Sequence, residues 1–166
     1  MRTRIIALVL LFSAVTAASS SAQGDLGLRG IGGQIGFTDM GLGNVFTFGG
    51  HADCGEFMPN LRLEPSFSYW RKSEFGLSFS LFRLNGDVKY LFPLESAVTP
   101  YAGGGLGYAR GTVSIGGASA SAAELQINLL GGIETQLTPK LRGFGELRIE
   151  DSTTHIEFGL TVPMGG

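Results

Sequence analysis

The chain has 166 residues, with 12 Lys and Arg against 14 Asp and Glu and a formal net charge of −2. Charged residues make up 16% of it, against about 25% in soluble domains, and its 27 glycines are roughly twice the usual share. The acidic balance argues against nucleic acid as a partner, and a single cysteine excludes a disulfide within the chain.

The first predicted element is a secretory signal at residues 1–22. Arg2 and Arg4 precede a short apolar run, and small residues end the segment at Ala22. This order is typical of a cleavable export signal, and the run is too short to span a membrane. A short N-terminal helix is the alternative. Subtracting the two arginines leaves 10 basic against 14 acidic residues, a charge of −4 for one domain over 23–166.

After the signal, apolar and polar residues alternate in eight segments separated by turn signals. The segments are 28–37, 45–54, 61–71, 81–92, 101–112, 123–137, 141–150 and 154–163. A period of two is the strand period, and segments of about ten residues with this alternation are the signal of a transmembrane β-barrel. The predicted fold is all-β, an eight-stranded antiparallel up-and-down transmembrane β-barrel.

The connections between the segments also alternate. Those after even segments are 55–60, 93–100 and 138–140, and each contains proline. Those after odd segments are 38–44, 72–80, 114–122 and 151–153, and they are only mildly longer. The third of these contains SIGGASASA, which predicts a flexible loop. With the N-terminus in the periplasm, the odd connections face outside, as the longer loops of such barrels do.

Alternation does not decide which face is buried, because a soluble lipocalin-like barrel would place the apolar face inside. Two features favour an apolar face that contacts lipid. The charge content is low for a dissolved protein, and aromatic residues gather near segment ends, as at a membrane interface. These aromatic residues are Phe37, Tyr69, Trp70, Tyr90, Phe92, Tyr101 and Tyr108.

The polar face then points into the lumen. The interior of an eight-stranded barrel is filled by side chains, and enclosed charges must find partners. We expect Glu150 opposite His155 and Arg148 opposite Glu157 across the last hairpin, and hence no open pore. The predicted lumenal charge network comprises Arg62, Glu64, Arg83, Asp87, Lys89, Glu134, Arg142, Glu146, Arg148, Glu150, His155 and Glu157.

Three motifs suggest chemistry but fit barrel strands better. YAGGGLGYARG lacks the spacing of a nucleotide loop and no helical pattern follows it. In HADC, a strand would point His51 and Asp53 one way and Cys54 the other, which argues against a metal site. Ser152 and His155 lie near acids at one rim, but no nucleophile motif surrounds the serine. We therefore predict no catalytic residue, cofactor or metal.

From Asn60 onward the chain resembles the small outer-membrane β-barrel family, the porin-like or OmpA/OmpX-like barrels. The resemblance is carried by NLRLEPSFSYW, GDVKYLFP, PYAGGGLGYAR, NLLGGIETQLTPKLRGFGELR and the final EFGLTVPM. It implies that Glu157, Gly159, Val162 and Met164 form the C-terminal signal for the barrel-assembly machinery. Family members commonly end on an aromatic residue, whereas two glycines follow Met164 here.

The resemblance implies a bacterial outer-membrane location and outer-membrane lipids, including lipopolysaccharide, as partners. Together with the predicted interior, it suggests a non-enzymatic envelope structural protein or surface-exposed interaction scaffold. The alternatives are a lipid-modifying enzyme of the outer membrane and a soluble lipocalin-like ligand-binding barrel.

Overall fold

A computed structural model describes residues 25–39, 44–74, 76–150 and 153–164. The predicted signal at 1–22 lies outside these ranges. The strands are β1 Asp25–Asp39, β2 Asn44–Met58, β3 Leu61–Glu74, β4 Leu77–Leu91, β5 Val98–Ile115, β6 Ala118–Thr138, β7 Leu141–Glu150 and β8 Thr153–Pro163. Within the described ranges, no helical segment has the length and apolar character needed to span a bilayer.

Each strand pairs antiparallel with its neighbours in sequence, and β1 pairs with β8 to close the barrel. The closing seam runs from the Gly30–Pro163 pair to the Asp39–Thr154 pair. This confirms the predicted eight-stranded up-and-down barrel. Closure gives the backbone of every strand two neighbours, which a sheet needs where no water is available to hydrogen-bond its edges.

Side chains alternate between the outer surface and the interior, as the period of two requires. On β6, Leu129 is 66% exposed whereas the adjacent Asn128 is 1% exposed. On β7, Leu147 and Ile149 face outward, and Arg148 between them is buried. The outer surface is therefore apolar and the interior polar, the reverse of a soluble barrel.

The two ends of the barrel differ. The distal end, defined here as the end opposite the chain termini, carries the connections that follow β1, β3, β5 and β7. There β5 and β6 remain paired as far as Ile115 and Ala118, and β4 pairs with β5 up to Leu77. Residues predicted as loops at 72–80 and 114–122 therefore lie mostly in strands. Gly116 and Gly117 form the turn with positive φ angles of 54° and 91°, which glycine adopts at little cost.

Two aromatic residues predicted for the interfacial girdle instead face the interior. Trp70 and Tyr101 are buried. Trp70 lies an even number of residues from the lumenal Arg62 on β3, and Tyr101 shares its face of β5 with the inward Gly105 and Gly107. The alternation therefore turns both rings inward. Phe37, Tyr69, Tyr90 and Phe92 do face outward, where Phe37 packs edge-on against Phe46 at a centroid distance of 5.8 Å.

The outward apolar face predicts the effect of a charge placed on it. Leu147→Arg on the outward face of β7 should lower the free energy of unfolding in lipid vesicles by about 2–4 kcal/mol, since the guanidinium must be desolvated in hydrocarbon. Ala120→Arg in the distal hairpin is the matched control and should change it by less than about 0.5 kcal/mol. Denaturant titration of both variants measures the difference, and equal effects would contradict the assigned faces.

Candidate functional site

The interior holds three groups of charged side chains, here called the proximal, central and distal clusters. The proximal cluster joins two arginines and two acids near the chain termini. Arg62 donates two hydrogen bonds to Glu134, at 2.7 and 3.1 Å. Arg142 donates to Asp53 at 2.6 Å, and Arg62 lies 3.4 Å from the same Asp53 oxygen. Arg142 also lies 3.6 Å from Glu134, so each of the two cations contacts both acids, and the two positive and two negative charges cancel.

The central cluster is built around the Lys89 ammonium. Its Nζ lies 2.6 Å from Glu64 and 2.7 Å from Glu146. Tyr101 donates a hydrogen bond to Glu146 at 3.0 Å, and Nζ also lies 4.7 Å from the centroid of the Tyr101 ring. A lysine so enclosed loses its hydration, and two carboxylates and a ring face replace it.

Arg148 connects the central cluster to the distal one. One of its nitrogens lies 2.8 Å from both Asp87 and Glu146. The second Asp87 oxygen accepts a hydrogen bond from Asn128 at 2.9 Å. Asp87 is fully buried and Arg148 is 2% exposed, so their pairing takes place away from bulk water.

The distal cluster surrounds His155. Thr38 and His155 share a hydrogen bond of 2.6 Å, and the other ring nitrogen lies 3.5 Å from Glu150. Arg83 approaches Glu150 to 3.0 Å, an ion pair without hydrogen-bond alignment. Glu157 accepts a hydrogen bond from Gln34 at 3.3 Å.

Glycines on β5 make room for these side chains. A Cβ at Gly105 would lie 2.5 Å from an Asp87 oxygen, and one at Gly107 would lie 2.5 Å from the side-chain amide of Asn85. Both distances are below any real Cβ contact, so larger residues there would displace lumenal polar groups. The run that suggested a nucleotide loop is barrel strand.

The structure buries or half-buries every residue predicted for the lumenal network, but the predicted register of β7 and β8 is wrong by two residues. Arg148 pairs with His155 and Glu146 with Glu157, whereas Glu150 faces Thr153. The turn is tighter than the predicted 151–153 connection, because β8 begins at Thr153. The expected partners still meet diagonally, with Arg148 at 3.8 Å from Glu157.

Asp53 is a charged residue of the proximal cluster that the predicted network did not include. It was assigned to the same face as His51 but was considered only as a metal ligand. Its alternation on β2 was the available signal, since it places the carboxylate inside. His51 instead contacts Thr161 at 2.8 Å, and Cys54 is half-buried as a free thiol. Ser152 lies outside the described residues.

The residues of the predicted assembly signal lie on the terminal strand and just after it. Glu157 is buried in the lumen, and Val162 and Met164 are exposed on the outer surface at the proximal end. The Met164 N–H donates to the carbonyl of Arg29 at 2.6 Å, which fixes the end of the chain against β1. Recognition of this segment by an assembly machinery stays a prediction.

An apolar exterior around a paired ionic interior defines a small transmembrane β-barrel. The sequence agrees with this class, since the model of the outer membrane protein beta-barrel domain matches residues 5–159. The chain belongs to that family and is a protein of the bacterial outer membrane. No sequence among curated proteins matches it.

Solved structures share the fold at low sequence identity. Neisserial surface protein A is 18% identical, with 81% of this chain and 95% of that one covered and a TM-score of 0.63. The N-terminal barrel of Pseudomonas aeruginosa OprF is 15% identical, with 86% and 100% covered and a TM-score of 0.58. Ail, the attachment invasion locus protein of Yersinia pestis, is 15% identical, with 82% and 95% covered and a TM-score of 0.54.

The central cluster predicts a large penalty for removing its cation. Lys89→Met should lower the free energy of unfolding by about 3–5 kcal/mol, because Glu64 and Glu146 would be left buried without a partner. Adding Glu64→Gln and Glu146→Gln should recover part of the loss. Lys140→Met, at an exposed turn, should stay within about 0.5 kcal/mol of the wild type. Denaturant unfolding in vesicles compares the variants, and a neutral Lys89→Met would refute the role given to the cluster.

Proposed function

We propose that this outer-membrane β-barrel is a non-enzymatic scaffold of the cell envelope whose lumen is closed by its own ion pairs. The supporting observation is that these pairs join strands that are not neighbours. Arg62 of β3 reaches Glu134 of β6, and Arg142 of β7 reaches Asp53 of β2. Lys89 of β4 contacts Glu146 of β7. Side chains that cross the barrel occupy the path a solute would take.

In this proposal residues 1–22 direct export, and the assembly machinery reads the C-terminal segment ending at Met164. The distal end faces outside, and its hairpins are the surface available to other molecules. The rest of the outer wall contacts outer-membrane lipids, including lipopolysaccharide. The paired interior stabilises a rigid cylinder. On one side of this cylinder strands β3 to β6 continue beyond the last β6–β7 pair, so they project farther at the distal end than the other strands do.

The position of His155 supports the absence of catalysis. A lipid-modifying enzyme needs its reactive groups where an acyl chain can reach them. His155 is 1% exposed, and its ring is held between Thr38 and Glu150 inside the barrel. The outward neighbours on β8 are apolar, as Ile156 illustrates.

A closed lumen predicts the electrical behaviour of the protein. In planar bilayers the wild type should give no stable conductance steps, and liposomes containing it should not swell in small sugars. The double variant Lys89→Ala/Arg148→Ala should conduct, because it removes the two cations that cross the central lumen. Ser119→Ala in the distal hairpin is the control and should behave as the wild type. Steady wild-type conductance would overturn the closed lumen.

The non-enzymatic assignment predicts unchanged lipids. Purified barrel incubated with lipopolysaccharide and phospholipid should transfer and release no acyl chains, as measured by mass spectrometry. Cells that lack the protein and cells that carry His155→Ala should show the same lipid acyl composition as the wild type. An acyl change that disappears with His155→Ala would establish the enzymatic alternative instead.

A further inference from the structure

The seam between β2 and β3 is split at the distal end. Its regular ladder reaches the Phe48–Tyr69 pair and stops there. Beyond that point β2 continues to Asn44, paired with β1, and β3 continues to Glu74, paired with β4. In the described part of the chain, residues 44–47 therefore have no strand partner on the side facing 70–74. The barrel wall is open here at the height of the outward aromatic residues.

A cavity of about 310 Å³ occupies this opening, at the lower end of the ~300–1,000 Å³ of small-molecule sites. Phe46, Phe48 and Tyr69 contribute outward aromatic rings, with Phe48 edge-on to Tyr69 at 5.6 Å. Trp70 and Val45 line it from the lumenal side. The lining is thus suited to hydrocarbon over most of its surface.

One charged group at the opening points to an anionic ligand. Trp70 is 8% exposed, yet its indole Nε1–H has no hydrogen-bond acceptor among the described residues. The indole ring lines the cavity while its N–H is shielded, so the charge that can meet a ligand comes from the neighbouring residue. The exposed Arg71, also on the lining, contacts the Ser78 hydroxyl at 3.4 Å and no carboxylate of the described chain.

We propose that the split seam binds one phosphate-bearing lipid of the surrounding outer leaflet. Its phosphate contacts Arg71, whose guanidinium suits two parallel hydrogen bonds to a phosphate. One acyl chain lies along Phe46 and Phe48. The head group also offers hydrogen-bonding atoms to the backbone groups of 44–47 and 70–74, which have no facing strand. Hydrocarbon alone offers no such atoms. This assignment rests on the proposed orientation, in which the distal end lies in the outer leaflet.

The chain contains a single tryptophan, and it lines this cavity, so its fluorescence reports on the site directly. The folded protein in zwitterionic micelles is titrated with a phosphorylated lipid that carries bromine on its acyl chain, since bromine quenches nearby indole emission. Saturable quenching is expected. Arg71→Ala should weaken the apparent affinity about tenfold or more, the effect of losing a hydrogen bond to a charged group.

Arg110→Ala is the matched control, because Arg110 is also exposed, distal and in contact with a hydroxyl, that of Ser121 at 3.5 Å. Arg110 lies on β5, away from the cavity. The affinity of the Arg110→Ala variant for the labelled lipid should therefore stay within about twofold of the wild type. A bromine-labelled neutral lipid with the same chains should quench weakly and without saturation. Equal quenching by the neutral lipid, or equal losses in both arginine variants, would overturn the proposal.

Inorganic phosphate alone is the remaining probe. It should not displace the labelled lipid at millimolar concentration, and full displacement would indicate an anion site without a lipid, which would also overturn the proposal. Heat-dependent gel migration verifies that each variant is a folded barrel. Because binding in micelles does not require a closed lumen, its failure is distinguishable from a failure of the conductance experiment.

Discussion

The backbone of a chain inside a bilayer has no water to bond with, and this constraint organises the whole molecule. A sheet satisfies it by closing on itself, as β1 does with β8. Closure fixes two surfaces that alternate along every strand. The outer one contacts hydrocarbon and is apolar, as Leu129 and Leu147 show. The inner one is shielded from hydrocarbon, so the polar residues of the sequence gather there and pair with one another.

Enclosure makes the choice of lumenal partners strict. A buried charge without an opposite charge costs several kcal/mol, and only close pairing with further hydrogen bonds offsets that cost. The arrangement found here shares each cation among acids, so that Lys89 contacts both Glu64 and Glu146, and Arg148 contacts both Asp87 and Glu146. Several of these contacts join strands that are not neighbours, so the groups that neutralise the interior also cross it. The seam at Phe48 and Tyr69 is where this regular design stops.

The strand number, the topology and the inward face were predictable, because polar and apolar residues alternate with a period of two in segments such as 141–150. Contacts between non-neighbouring strands were not, since the reach of Arg62 to Glu134 depends on barrel tilt and shear rather than on local pattern. The β7–β8 register failed because the turn residues allow more than one length. Trp70 and Tyr101 were misassigned for a different reason. An aromatic residue near a strand end suits either the membrane interface or the mouth of the lumen, and alternation alone separates the two.

The central claim is that apolar side chains face acyl chains while the interior excludes them, and one pair of adjacent residues tests it in the unmodified protein. Leu129 points outward and is 66% exposed, whereas Leu130 points inward and is 6% exposed. With methyl-labelled protein in lipid bicelles, nuclear Overhauser effects from acyl-chain protons should reach the methyl groups of Leu129 and not those of Leu130. Contacts from lipid to Leu130, with none to Leu129, would contradict the account.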